Sequence, residues 1–258
     1  MSAAFSAVAV LPVYNHEDAV GRVVAGVLAH SLPVILVDDG STPRCREVLQ
    51  QLARGPNVSL VTNPRNLGKG GAVSAGLRAA LRAGYSHALQ IDADGQHTLA
   101  DIPHFVAAAR ANPAAVICGQ PIFDESIPRL RFLSRYLTHV LVWIHTLSLD
   151  IRDSMCGFRV YPLPAVVAVI DSTRLGRRMD FDPELLVRLH WRGQSMRWLP
   201  TRVSYPLDGV SHFRMLEDNL RISGMHARMF VGMLVRLPIL VWRRLPFVQV
   251  PPATRSRS

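Results

Sequence analysis

Four of five short apolar runs in this chain close on a polar cluster, and that pattern constrains its fold more than any other feature. Phe5–Leu11, Pro33–Val37, Val58–Thr62, His87–Ile91 and Ala114–Cys118 are rich in Val, Ile, Leu and Ala and read as buried strands. Between the first two, Val20, Val23, Val24, Val27 and Leu28 recur on one face of a helix. Val73, Leu77, Ala80 and Leu81 do so between the third and fourth. Continuous apolar strands alternating with amphipathic helices predict an α/β fold with a mainly parallel sheet covered on both faces. In such sheets ligands lie outside the carboxyl ends of the strands. Tyr14-Asn15, Asp38-Asp39-Gly40-Ser41, Asn63 and Asp92-Ala93-Asp94-Gly95-Gln96-His97 all fall there, on one rim.

The second half reads differently. A helix is expected from about Pro128 to Ser148, then a loop Asp153-Ser154-Met155-Cys156-Gly157-Phe158-Arg159. Asp182–Trp191 reads as helix, Arg197–Tyr205 as strand, and Leu216 to Leu245 as largely helical. With no repeat and no clear linker, residues 1–215 are expected to form one domain. Residues 216–247 would be a helical extension and 248–258 a disordered tail. The 258-residue length is ample for one core. Cys45, Cys118 and Cys156 are widely spaced, which argues against a disulfide framework and suits a reducing compartment. The apolar start lacks a basic leader region and runs directly into Pro12-Val13-Tyr14-Asn15, so it reads as a first strand and not a signal peptide.

The net charge of +10 is concentrated at the end, where nine arginines after residue 199 face only Asp208, Glu217 and Asp218. An anionic partner, nucleic acid or membrane, follows. Of the 29 basic residues all but Lys69 are arginine.

Asp92-x-Asp94 places two carboxylates on one side of an extended segment, where they repel unless a cation intervenes. Mg²⁺ or Mn²⁺ would relieve the repulsion and bridge to diphosphate oxygens. Alone such a pair is commonly a solvated turn; at the end of a buried strand it points to metal. Asp38 or Asp39 could accept from a base N–H or a ribose hydroxyl, although Asp-Gly turns and Ser or Thr caps serve structure equally well. Asn66-Leu67-Gly68-Lys69-Gly70-Gly71 is a glycine loop before a helix, suited to an anion at the helix N-terminus. It lacks the spacing of a nucleoside-triphosphatase P-loop.

In this order, Val10-Leu-Pro-Val-Tyr-Asn15, Val37-Asp-Asp-Gly-Ser41, Asn66-Leu-Gly-Lys-Gly-Gly71 and Ile91-Asp-Ala-Asp-Gly-Gln96 resemble the family-2 glycosyltransferases of GT-A fold. The resemblance spans roughly residues 6–215 and is strongest to the dolichyl- or polyprenyl-phosphate mannose synthase branch. It extends weakly to a subgroup that accompanies bacterial aryl-polyene pigment genes. The resemblance implies nucleotide binding by Pro12, Tyr14, Asn15, Glu17, Asp38, Asp39, Lys69, Asp92 and Ala93, with metal at Asp94 and Gln96. His212 is a further candidate for metal or phosphate. Asp153 to Tyr161, Phe181-Asp-Pro-Glu-Leu-Leu186 and Ser211-His-Phe-Arg214 are similar to later segments of that branch, which implies phosphate or acceptor contacts at Arg159 and Arg214.

Two departures bear on sugar and acceptor. Gly119-Gln120-Pro121 stands where the branch carries Gly-Ser-Arg, so that cation is either missing or replaced by Arg129, Arg131 or Arg135. His16 stands where an acid is common, with Glu17 next.

The resemblance implies a metal-dependent, inverting transfer from a UDP- or GDP-sugar to a lipid or lipid-phosphate acceptor. Asp92 and Asp94 would serve the chemistry directly. A phosphate acceptor needs no base; a hydroxyl would need one, and Asp153 or Glu184 is the candidate. Met229–Trp242 is apolar but broken by Arg236 and Pro238 and too short to span a bilayer alone. It suits an interfacial segment whose arginines meet anionic headgroups, with Leu137–Leu149 a second apolar surface. The core-helix reading with a basic solvent face is equally open. Together these features predict a cytoplasmic protein, peripheral at the inner face of the cytoplasmic membrane. A nucleotidyltransferase making a nucleotide-sugar is the nearer rival. A basic nucleic-acid-binding protein would explain the charge but not the four strand-end motifs, so no nucleic-acid partner is expected.

Overall fold

The computed structural model describes residues 4–123, 129–203 and 215–243. Seven strands form one sheet in the order β3-β2-β1-β4-β6-β5-β7. They are β1 (Ala7–Val13), β2 (Val34–Asp38), β3 (Val58–Thr62), β4 (His87–Gln90), β5 (Val116–Phe123), β6 (Arg159–Pro162) and β7 (Met196–Val203). Every pairing is parallel except those of β6, which is antiparallel to both β4 and β5. The helices are α1 (Glu17–Ala29), α2 (Pro43–Leu52), α3 (Lys69–Arg82), α4 (Ile102–Ala111), α5 (Arg129–Thr146), α6 (Leu163–Ser172), α7 (Phe181–Trp191) and α8 (Met215–Trp242).

Strand alternation builds two cores. Val8, Val10, Ile35 and Val37 point to the face covered by α3, α6, α7 and α8. Ala9, Leu11, Val34 and Leu36 point to the face covered by α1, α2 and α4. Gly76 lets α3 lie close on the sheet, because a Cβ there would come within 2.4 Å of Val10 Cγ1.

Three expectations need correction. β3 is the sheet edge and only half-buried, since it has one strand neighbour. The segment ending in Arg159 is not all loop: Arg159–Pro162 forms β6, wedged between β4 and β5. The C-terminal helix is continuous from Met215 through Pro238 to Trp242, and within the 26 residues Glu217–Trp242 an 18-residue window reaches mean hydropathy 1.3, long and apolar enough to cross a membrane by length and composition. At ~1.5 Å per residue such a helix covers about 40 Å. Its inner stripe, Met225, Met229, Met233 and Leu240, is buried in the main core. The expected tail lies outside the described residues.

Candidate active site

The rim is tied together by its own polar groups. At the end of β1, Asn15 adopts φ 55°, a left-handed turn that asparagine tolerates. Its side-chain oxygen accepts from the Thr42 amide at 2.9 Å. Asp38, fully buried, accepts from the Ser41 amide at 2.8 Å and from Arg46 Nε at 3.3 Å. Its carboxylate is spent on holding the loop.

Asp39 staples β2 to the glycine loop. It accepts from Asn63 Nδ2 at 2.8 Å, the Leu67 amide at 2.9 Å and the Gly68 amide at 2.8 Å. Burial pushes its carboxyl above the usual range, against the lowering effect of those three donors and of the nearby Arg178 charge. Among the described residues Oδ2 takes only the Gly68 bond, so an acceptor position remains for a ligand donor. The anion expected at the start of α3 is in part the protein's own, since Asp39 takes the Leu67 and Gly68 amides, and the Gly71 amide goes to Arg177 O.

Lys69 opens α3 and reaches across to Asp92 Oδ2 at 2.8 Å and Asp182 Oδ2 at 3.1 Å. Burial disfavours its charge, but the two carboxylates outweigh burial and hold the ammonium above its ordinary range. Burial likewise opposes ionisation of Asp92, yet Lys69 and His97 hold its carboxyl well below the usual carboxylate range. His97 Nε2 lies 3.7 Å from Asp92 Oδ2, and its ring packs on Phe158. Asp94 carries the opposite shift, raised by burial and then by the neighbouring Asp92 charge; its Oδ1 accepts from the Gln96 amide at 3.0 Å.

A divalent cation fits this arrangement. Asp92 Oδ1 is buried with no hydrogen-bond partner among the described residues. Burial and the Asp92 charge raise the Asp94 carboxyl even against the Gln96 amide, His97 and Lys69. No group of three or more His, Cys, Asp or Glu side chains among the described residues could hold a metal without help. Such a site needs oxygens from elsewhere, which a diphosphate would bring. Gln96 is half-buried beside it; His212 and Arg214 lie outside the described residues.

Other predicted residues divide. Pro12, Tyr14 and Glu17 are half-buried along the β1–α1 turn, Glu17 lying 3.8 Å from Arg44, and Ala93 is buried between the two aspartates. Four other candidates are held in internal networks. Asp153 is 3% exposed and takes Arg135 Nε at 2.8 Å, Arg135 Nη2 at 2.5 Å and the amides of Met155 and Cys156. Burial opposes its charge, but His139 and Arg135 hold its carboxyl well below the usual range, the reverse of what a general base requires. Arg135 is correspondingly engaged with Asp153. Arg152 instead reaches Gln120 at the end of β5, Nη1 to Oε1 3.4 Å.

Arg159 is fully buried. It binds Asp182 Oδ1 at 3.2 Å, Ser154 O at 2.8 Å and Tyr161 Oη at 3.3 Å, so it supports the rim from beneath and meets no ligand. Glu184 is also fully buried, accepting from Arg188 Nη2 at 2.6 Å and the Gly176 amide at 2.9 Å, which fixes the α6–α7 loop. Sequence reasoning placed His97 on the rim and Gly157 and Asp182 in family-like segments without giving any of them a role, and it missed Arg178. A Cβ at Gly157 would lie 2.7 Å from Asp92 Oδ2, so only glycine leaves that carboxylate its place.

Residues 8–163 match the family described as glycosyl transferase family 2. The chain belongs to that family. Relatives of this family-2 chain include a dolichyl-phosphate beta-glucosyltransferase of Trichomonas vaginalis, 27% identical over 199 residues, covering 69% of this chain and 59% of the relative. The human dolichyl-phosphate beta-glucosyltransferase is 28% identical over 201 residues, 69% of this chain and 60% of its own. The chain thus spans less than two thirds of the length of either. Among solved structures, glucosyl-3-phosphoglycerate synthase from Mycobacterium tuberculosis in complex with Mn²⁺ and uridine-diphosphate-glucose aligns with TM-score 0.64 at 15% identity, covering 91% of this chain and 79% of that one. S. aureus TarS in complex with UDP-GlcNAc aligns with TM-score 0.58 at 12% identity over 87% and 66%. Both likenesses concern fold, and the family-2 chain shares the GT-A arrangement expected from its motifs.

Proposed function

We propose that this chain transfers a sugar from a nucleotide-sugar donor, a UDP-sugar first and a GDP-sugar second, to a lipid-phosphate acceptor at a membrane surface, with inversion. The observation that carries the reading is the rim pair itself: Asp92 offers an unpartnered buried oxygen beside Asp94, with the Lys69 ammonium against its other oxygen. Asp94, Asp92 and Gln96 would hold Mg²⁺ or Mn²⁺. When bound, the cation would stabilise negative charge on the departing nucleoside diphosphate. Lys69 adds a fixed positive charge on the same side. Tyr14, Asn15 and Asp39 border the nucleotide, with Asp39 Oδ2 the acceptor for a base or ribose donor.

Two features favour a phosphate over a hydroxyl acceptor. The candidate bases Asp153 and Glu184 are both committed to internal cations, and a phosphate oxygen is already nucleophilic. The relatives named for dolichyl-phosphate transfer support the same class. Residues 1–215 would carry the chemistry. The exposed apolar face of α8 would meet lipid, keeping the enzyme peripheral at the cytosolic face.

The test is thermal shift with UDP-, GDP- and dTDP-sugars, with and without Mn²⁺, on wild type and Asp94→Ala. It is followed by transfer of labelled sugar to polyprenyl phosphate. Metal-dependent stabilisation by one nucleotide family, lost in the variant, is the expected outcome. Stabilisation by nucleoside triphosphates alone would favour a nucleotidyltransferase and overturn the proposal.

A further inference from the structure

Asp182 is 4% exposed, stands in the first turn of α7 and belongs to none of the motifs that announce the donor site. Its two carboxylate oxygens do different things. Oδ1 accepts from Arg159 Nη1 at 3.2 Å and Gln90 Nε2 at 3.4 Å, one donor from β6 and one from β4. Tyr161 Oη closes the lower layer by donating to Gln90 Oε1 at 3.3 Å. Oδ2 is 3.1 Å from Lys69 Nζ, which also stands 2.8 Å from Asp92 Oδ2. Lys69 is therefore gripped between two carboxylates, one fixed to the sheet and one on the rim.

We propose that Asp182 is a positioning residue that holds the Lys69 ammonium against Asp92, leaving one ammonium N–H to meet the donor diphosphate and one Asp92 oxygen to meet the cation. An ammonium has three N–H donors. Two are spent on Asp92 and Asp182, and the side chain keeps 19% of its surface open. Asp92 likewise gives Oδ2 to Lys69 and keeps Oδ1 unpartnered. With Asp92 as its sole anchor, a flexible lysine could swing over both oxygens and compete with a metal. The second carboxylate removes that freedom before any ligand arrives, so the ordering cost is not met at binding. Buried Arg159 keeps Asp182 paired from below, so the clamp is built into the sheet. The donor role of this clamp rests on the proposed function; its existence does not.

Because Lys69 is the sole lysine, the protein labelled with ¹⁵N-lysine gives one side-chain ammonium resonance. In the full-length protein without ligand that resonance should be protected from water exchange. It should survive Asp92→Asn and vanish in Asp182→Asn. Asp182→Asn should also raise the KM for the sugar nucleotide on the order of ten-fold, the effect of a lost charge-assisted hydrogen bond. In a Lys69→Met background the same change should cost less than about two-fold, because the residue acts through Lys69. A resonance that persists in Asp182→Asn, or full additivity of the two substitutions, overturns the proposal. Should Asp182→Asn fail to fold, Asp92→Asn decides: loss of the resonance there means Asp92 alone holds the lysine. An intact clamp in a protein that binds no sugar nucleotide would reject the proposed function and leave the clamp standing.

Discussion

Arg236 stacks its guanidinium 4.5 Å above the ring of Trp191, turning the central charge of α8 toward the protein. Arg228 meets Glu184 at 3.4 Å and Arg243 donates to Trp191 O at 3.0 Å, yet both residues stay exposed. The expected picture of arginines reaching toward headgroups therefore changes at Arg236, while Arg228 and Arg243 keep charge at the surface. The outer face is instead apolar, with Val231 61% and Val235 75% exposed beside Leu234, Ile239 and Trp242. Liposome binding should accordingly keep a large part that salt does not remove, since screening acts only on the exposed charges. Replacing Val231 and Val235 together by Asp removes at least about 1.5 kcal/mol of apolar transfer per side chain. Vesicle partitioning should fall on the order of a hundred-fold, while sugar-nucleotide binding is unchanged. Strong salt sensitivity in a flotation assay would show that charge, not this face, makes the contact.

The joint between α5 and α8 is acid-labile. His145 Nε2 and His226 Nδ1 share a hydrogen bond of 3.0 Å, and the outer nitrogens of both rings have no partner among the described residues. Burial lowers each histidine to about 4, helped at His145 by the neighbouring ring. An unfolded chain takes up these protons near pH 6.5 while the folded protein resists until about 4. Stability therefore falls as pH drops through that window and levels off below it, by on the order of 3 kcal/mol per histidine at most. Urea unfolding followed by tryptophan fluorescence at neutral and mildly acidic pH measures this loss. His226→Leu should flatten it, and an unchanged slope would assign the acid response elsewhere.

Asp153 behaves oppositely. Its folded carboxyl lies below the unfolded value, so its contribution is complete above about pH 4 and disappears as pH falls further. Asp153→Asn leaves Arg135 without its buried partner and should cost roughly 3–5 kcal/mol at neutral pH. It should lower activity only as far as it lowers the folded fraction. Turnover per folded molecule that collapses in this variant would restore Asp153 as a catalytic group.

The donor rim was legible in the sequence because parallel strands buried on both faces must be continuous apolar runs, so the polar residues that end them stand out. Asp92 and Asp94 are found in that way. β6 was not, because a strand of four residues carrying Arg159 and Tyr161 has neither an apolar run nor a visible alternation. The roles of Asp38 and Asp39 are decided by hydrogen bonds from residues up to 29 positions away, which adjacency hides. The lysine clamp joins Lys69, Asp92, Asp182 and Arg159, and no local pattern unites them. The direction of the α8 arginines depends on Trp191, which belongs to another helix.

Gly157 gives the sharpest test of the rim geometry. A methyl group there would sit 2.7 Å from Asp92 Oδ2 and 3.0 Å from its Cγ, closer than real contacts allow. The carboxylate must move, and its freedom is limited because Lys69 and His97 stand on the same oxygen. Gly157→Ala should thus displace Asp92 while leaving the sheet intact, since no positive φ constrains this glycine. A misplacement approaching 1 Å can cost about a hundred-fold in rate. The expected result is a melting temperature near wild type with a large loss of Mn²⁺-dependent donor stabilisation and of turnover. Full activity in a folded Gly157→Ala protein would mean that the position of Asp92 is not critical, and the metal would then have to be assigned to Asp94 without it.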